Sequence, residues 1–125
     1  MIVLAHAPVA TVHGLAHRHL HINLTLAQRS FVVVVITLAP LVALILLWTS
    51  LRKWGATLLL VSMFGSLIFG IVNHLPVAGS DHVLHLPAGE WRLAFQITAG
   101  LLAVTEFLGC LVGVWSWRTI NGLRP

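Results

Sequence analysis

The 125-residue chain contains eight histidines, against seven basic and three acidic residues. Four of these histidines recur at helical spacing near the N-terminus: His6, His13, His17 and His21. On a helix they form one stripe, because residues four or seven apart share a face. Two imidazoles four residues apart can bind one metal ion, since their nitrogens converge on that face. The stripe therefore predicts a metal site in this segment.

A second group of candidate ligands follows further along the chain, among them the histidines His74, His82 and His85 and the acidic residues Asp81 and Glu90. Imidazole is a good ligand for copper, zinc and iron. The single cysteine excludes a thiolate-rich site. We therefore expect a transition metal (copper, zinc or iron) bound mainly by imidazole.

Haem b is an alternative cofactor for the same histidines. Two imidazoles on facing helices can ligate haem iron, and His74 could pair with His13, His17 or His21 for this purpose. Two further interpretations need no ligand. The histidine stripe can form the polar face of an interfacial helix, or it can sense pH, because imidazole titrates near neutrality.

Glu106 is the one charged residue within a long apolar segment. A carboxylate is costly inside a bilayer and by default marks a functional position. It can carry protons or cations, or it can stay protonated and donate a hydrogen bond to a neighbour. Its predicted helix face includes Gly109 and Gly113, whose GxxxG spacing allows close helix packing.

The preceding apolar segment offers a matching surface of small residues at four-residue spacing: Ser62, Ser66 and Gly70. Small residues let two membrane helices approach closely. We therefore expect these two segments to pack together, with Glu106 between them or against a partner subunit. Cys110, one turn after Glu106, is expected to be an apolar filler.

The elements that carry these residues are predicted from length and hydropathy. About 20 apolar residues are needed to cross a bilayer, and three segments qualify: 31–51, 56–75 and 93–117. The sequence predicts an all-α integral membrane protein, with three transmembrane helices preceded by an interfacial amphipathic helix in the His-rich segment 1–30. The remaining segments are predicted to be a turn at 52–55, a loop at 76–92 and a tail at 118–125. Pro40 is expected to loosen the first span.

With three spans, the N-terminal segment and the 76–92 loop lie on the same side of the membrane. All eight histidines are therefore expected on that side. The opposite side carries Arg52, Lys53, Arg118 and Arg124 without any acidic residue. Because cytoplasmic loops are enriched in Lys and Arg, we expect an extracytoplasmic N-terminus and a cytoplasmic C-terminus. The compact spans are typical of a bacterial inner membrane.

The basic residues are scattered, so no nucleic-acid surface is expected. Three helices enclose little interior and no catalytic frame is evident, which favours a non-enzymatic accessory subunit. The leading hypothesis is a subunit of a larger membrane complex, or a self-associating one, that binds a metal or haem through extracytoplasmic histidines. The alternatives are a purely structural subunit and an oligomeric proton or metal-ion transporter that uses Glu106.

Overall fold

The computed structural model describes residues 1–75 and 81–122, and all regular secondary structure in that part of the chain is helical. Four helices follow one another: α1 at Ile2–His19, α2 at Leu26–Leu47, α3 at Arg52–His74 and α4 at Arg92–Ile120. Residues 76–80 of the predicted 76–92 loop lie outside the described residues. So do residues 123–125 of the predicted 118–125 tail, including Arg124.

Three helices, α2, α3 and α4, are long and apolar enough to cross a membrane. Large apolar side chains project outward from each of them, for example Val33, Phe64 and Leu101. In water this surface would be unfavourable, but it suits a lipid environment. The all-helical class with three such helices is thus confirmed.

The first of these helices begins at Leu26, five residues before the predicted start of a span at residue 31. Thr25 caps it: the Thr25 hydroxyl accepts a hydrogen bond from the Gln28 backbone N–H, and the Gln28 side chain accepts one from the Thr25 N–H. This reciprocal cap satisfies backbone donors that would otherwise be unpaired at the helix end.

The turn between α2 and α3 occupies residues 48–51, whereas residues 52–55 were predicted to form it. Thr49 stabilises the turn, because its hydroxyl donates to the Leu46 carbonyl and accepts from the Leu51 N–H. Residues 52–55 instead form the first turn of α3. Gly55 there allows a close approach to α2, since a Cβ atom would lie 2.8 Å from the Leu47 backbone nitrogen.

The middle of α2 is wound as a π-helix over Val32–Leu38. It ends two residues before Pro40, which cannot donate a backbone hydrogen bond. The Ala39 N–H donates to the Val34 carbonyl, five residues earlier, and the Thr37 hydroxyl donates to the Val32 carbonyl. The helix is therefore widened one turn before the proline.

Helices α2 and α3 pack as an antiparallel pair. The Phe31 and Phe69 rings stack with centroids 4.8 Å apart. Near the same end, the Gln28 side-chain amide donates to the Asn73 side-chain oxygen at 2.9 Å. These contacts fix the register of the pair.

Helices α3 and α4 meet at two glycines of α4. A Cβ on Gly109 would lie 2.6 Å from Met63 Cγ, and a Cβ on Gly113 would lie 2.9 Å from Leu60 Cβ and 3.0 Å from its backbone. Ser62 is also buried on α3. Small residues at this interface let the backbones approach closely, as such residues do in membrane helix pairs.

Helix α1 runs antiparallel along the first half of α4. Three contacts define this register: His19 stacks on Trp91 with ring centroids 4.4 Å apart, His13 lies beside Thr98, and His6 lies beside Glu106. The interfacial amphipathic placement expected for this segment is not confirmed. The stripe of His6, His13 and His17 faces the helix bundle, because the bundle supplies polar partners for these imidazoles.

Candidate metal centre

The N-terminal helix presents His13 and His17 on its buried face, one turn apart. The helix ends at His19, and the chain then turns through His21, whose φ is 54° and whose side chain is exposed. The regular spacing in sequence therefore does not carry His21 into the stripe, because the helical periodicity stops before it.

His74 completes a group of three imidazoles. It is the last residue of α3, which brings it to the level of His13 and His17. One nitrogen from each of the three rings lies within 4.8 Å of the others. His13 Nε2 and His74 Nε2 are 3.3 Å apart. Two nitrogens that bind one tetrahedral ion at about 2.0–2.1 Å are separated by roughly 3.4 Å.

The hydrogen bonds at the opposite nitrogens determine how these two rings are protonated. His74 Nδ1 lies 3.0 Å from the Asp81 backbone carbonyl, which can only accept, so Nδ1–H donates. His13 Nδ1 lies 2.9 Å from Thr98 Oγ1. The Thr98 hydroxyl already donates to the Ala94 carbonyl at 2.7 Å, so it accepts from His13.

In the neutral form, each of the two rings therefore has its proton on Nδ1 and a lone pair on Nε2. At 3.3 Å, two such lone pairs repel unless a cation lies between them. That cation is a metal ion or a shared proton. Metal-bound histidines commonly donate their other ring N–H to a carbonyl, a carboxylate or a hydroxyl in this manner.

Asp81 lies against the other side of the cluster. Its Oδ1 atom is 3.4 Å from His17 Nε2 and 3.3 Å from His74 Nδ1. His17 Nδ1 is buried, and no described residue forms a hydrogen bond with it. If His17 Nε2–H points to Asp81, the unpaired Nδ1 is free to bind an ion. Asp81 can orient His17 or supply an oxygen ligand.

An apolar wall surrounds the three rings on the α4 side. Phe95 is fully buried, and its ring centroid lies 4.5 Å from that of His13, 4.9 Å from that of His17 and 5.3 Å from that of His74. Burial, with smaller contributions from the neighbouring His17 and His74, lowers the pKa of His13 to about 3. Burial also lowers the pKa of His17. Both rings are neutral at pH 7, as metal ligands must be.

The cluster forms one end of a cavity of about 450 Å³ between the four helices, which we call the large cavity. Its wall is mainly apolar, with polar residues contributed by the three histidines, Thr37, Gln96, Ser66 and Glu106. The Gln96 side chain donates to the Val83 carbonyl at 2.8 Å and so holds the described part of the 76–92 loop against α4.

The remaining histidines lie apart from this cluster. His82 and His85 pack against each other with ring centroids 4.6 Å apart, and His85 is exposed. His6 is fully buried beside Glu106, 3.5 Å away from its carboxylate. Of the seven histidines predicted as ligands, the structure groups three: His13, His17 and His74.

One polar group of the centre, Thr98, was not among the predicted ligands, although the sequence contained a signal for it. Thr98 lies three residues after Phe95 and eight before Glu106, which places all three on one face of α4. Asp81 was one of the candidate ligands predicted in the loop. Its contact with His17 depends on the path of the loop, which helical periodicity does not predict.

The predicted packing residues lie where α3 faces α4 and the cavity. Ser62 and Ser66 are buried, and Gly70 is half-buried beside Glu106 and His74. Glu106 itself is buried, and its partner is α1 of the same chain. No family model, curated protein or solved structure matches this chain.

Proposed function

We propose that the protein is a small integral membrane subunit that binds one transition-metal ion through His13, His17 and His74. The single observation that carries this proposal is the pair of Nε2 atoms 3.3 Å apart, each on a ring whose Nδ1–H is already engaged. An ion between them replaces a repulsion with two ligand bonds.

The ligand set favours copper, zinc or iron. It consists of imidazoles with one adjacent carboxylate, Asp81, which are nitrogen and oxygen donors suited to these metals. A haem b would need its two axial imidazoles on opposite sides of a flat macrocycle. The short separation of His13 Nε2 and His74 Nε2 therefore favours a single ion over haem.

The proposed location is a bacterial inner membrane, with the metal centre on the extracytoplasmic side. The centre lies at the end of the bundle formed by His74 and the start of α4. Arg52, Lys53 and Arg118 lie at the opposite end, and their positive charge favours the cytoplasm. In this orientation the ion is exchanged with the extracytoplasmic space.

The small size of the chain supports an accessory role in a larger complex or a homo-oligomer rather than catalysis by the chain alone. Its outer surface carries many large apolar side chains, which lipid or neighbouring subunits can cover. A purely structural subunit is the competing function, and it predicts that the purified protein holds no ion.

Metal analysis of the purified protein tests the proposal. We expect about one ion at the centre in the wild type and loss of that ion in His13→Ala and His74→Ala. His85→Ala is the matched control, because it removes an exposed imidazole outside the cluster. Wild-type protein that stays metal-free after incubation with Zn²⁺, Cu²⁺ and Fe²⁺, without chelators, would contradict the metal function.

A further inference from the structure

A second buried pair of ionisable groups lies deeper in the bundle. Glu106 is 3% exposed and His6 is 2% exposed. Their nearest atoms, Glu106 Oε1 and His6 Nε2, are 3.5 Å apart, which is too long for a strong hydrogen bond. Within the described residues, His6 Nε2 has no hydrogen-bond partner. A buried polar atom without a partner is costly.

Ser66 adds a third polar group that faces the same region. It is completely buried, it lines the large cavity together with Glu106, and no described residue forms a hydrogen bond with its Oγ. It lies one helical turn before Gly70, which approaches the Glu106 carboxylate. Glu106 and His6 thus form a buried pair, and Ser66 is a further buried hydroxyl on the wall of the cavity that Glu106 also lines.

Gly70 leaves a gap between this deep pair and the metal centre. A Cβ atom on Gly70 would lie 3.9 Å from Glu106 Oε2 and 4.0 Å from His74 Cδ2. No side chain of residue 70 therefore separates the carboxylate from the His74 ring. Glu106 and the three histidines of the centre line the same large cavity.

Glu106 and His6 also lie between two cavities. Glu106 lines the large cavity, whereas His6 lines a second cavity of about 260 Å³, between α1 and α2, which we call the small cavity. Both cavities share three lining residues: Ala10, Ile36 and Thr37. Ile36 and Thr37 belong to the π-helical part of α2, a type of distortion that is frequent at functional sites.

From this arrangement we infer that Glu106, His6 and Ser66 form a second cation site, which a transition-metal ion reaches from the three-histidine centre through the large cavity. Carboxylate, imidazole and hydroxyl groups suit a divalent ion such as Zn²⁺ or Fe²⁺. The 3.5 Å separation of Glu106 and His6 is close to the roughly 3.4 Å expected for two ligands of one tetrahedral ion. The route rests on the proposed function; the second site itself does not.

The number of ions per chain tests the second site. Purified protein is equilibrated with Co²⁺, a visible probe for Zn²⁺ sites, and the bound metal is counted. We expect two ions in the wild type and one in Glu106→Gln. Glu90→Gln, which removes an exposed carboxylate, is the control and retains two. Should Glu106→Gln fail to fold, His6→Asn and Ser66→Ala give the same comparison, each with a weakened or lost second ion.

The outcomes separate this inference from the proposed function. One ion that is kept in Glu106→Gln and lost in His13→Ala overturns the second site and leaves the metal centre intact. One ion that is lost in Glu106→Gln and kept in His13→Ala supports the deep site and overturns the proposed centre. A wild type without any bound ion overturns both.

A variant in the gap tests the route. Gly70→Val adds side-chain atoms between Glu106 and His74 without replacing any ligand. We expect it still to bind two ions at equilibrium, but to fill the second site more slowly than the wild type after Co²⁺ is added. An unchanged rate would overturn the proposed passage past Gly70.

Discussion

The two sides of the bundle are packed in opposite ways. On one side, α3 and α4 are in close contact, and Gly109 and Gly113 leave no room for even one additional carbon atom. On the other side, the small cavity of about 260 Å³ separates α1 from α2, and the large cavity of about 450 Å³ lies between α1, α2 and the facing sides of α3 and α4. One chain thus contains a closed helix interface and an open one.

The buried ionisable groups lie along the open side. Glu106 and the three histidines of the metal centre line the large cavity, and His6 lines the small one. The closed interface holds Met63, Leu60 and glycines, which have no ionisable group. The difference indicates that the closed interface stabilises the fold, whereas the open side is available to a ligand.

The largest predicted effect concerns the closed interface. Gly113→Leu places side-chain atoms against the backbone of Leu60, which cannot move without separating α3 from α4. We expect a loss of about 3 kcal/mol of stability, at the upper end of the usual cost of overpacking, and a low yield of folded protein. Gly100→Leu is the control on the same helix, because no atom lies within 4 Å of its Cβ position. Comparable folded yields of the two variants in size-exclusion chromatography would show that the α3–α4 interface is not closely packed at Gly113.

A smaller effect is predicted at the open side. Thr98→Val keeps the shape of the side chain but removes the hydroxyl that accepts from His13 Nδ1. Loss of such a partner typically weakens metal binding about 10- to 100-fold, and a Zn²⁺ competition titration can measure this change. Thr105→Val is the matched control, since the Thr105 hydroxyl bonds only to its own helix backbone. An unchanged affinity in Thr98→Val would show that this hydrogen bond does not support the site.

The smallest effect is the pH dependence of the metal-free protein. The pKa of His13 is about 3 in the folded chain and about 6.5 when unfolded. Between these values the unfolded chain takes up a proton that the folded chain excludes, so stability falls as the pH falls below 6.5. We expect a loss of roughly 1 kcal/mol at pH 5.5 from this group. Thermal unfolding followed by tryptophan fluorescence should show a weaker acid sensitivity in His13→Asn, and equal sensitivity would contradict this assignment.

Much of the fold follows from the sequence, because the physics of long apolar helices is simple. The apolar runs predict three spans, and Pro40 predicts the loosened part of α2. The exact first and last residues of the helices were less predictable. The Thr25 cap starts α2 at Leu26, five residues before the predicted start of the span. The hydrogen bonds of Thr49 place the turn at residues 48–51, four residues before the predicted position.

The site was predictable only in part. Helical spacing selects His13 and His17, but it also selects His21, which lies beyond the end of α1. Neither His74 nor Asp81 can be assigned to the cluster without knowing how α1 packs. Segment 1–30 was instead expected to form an interfacial helix. Spacing along the chain does not predict that Glu106 and Thr98 face His6 and His13.

The metal centre is tested most directly by X-ray absorption at the Zn edge of the purified protein loaded with one equivalent of Zn²⁺. The metal centre predicts that imidazole nitrogens dominate the nearest shell, at about 2.0–2.1 Å, and that this signal is lost in His13→Ala and retained in His85→Ala. A shell of water oxygens alone, or a spectrum unchanged by His13→Ala, would contradict metal binding by the three histidines.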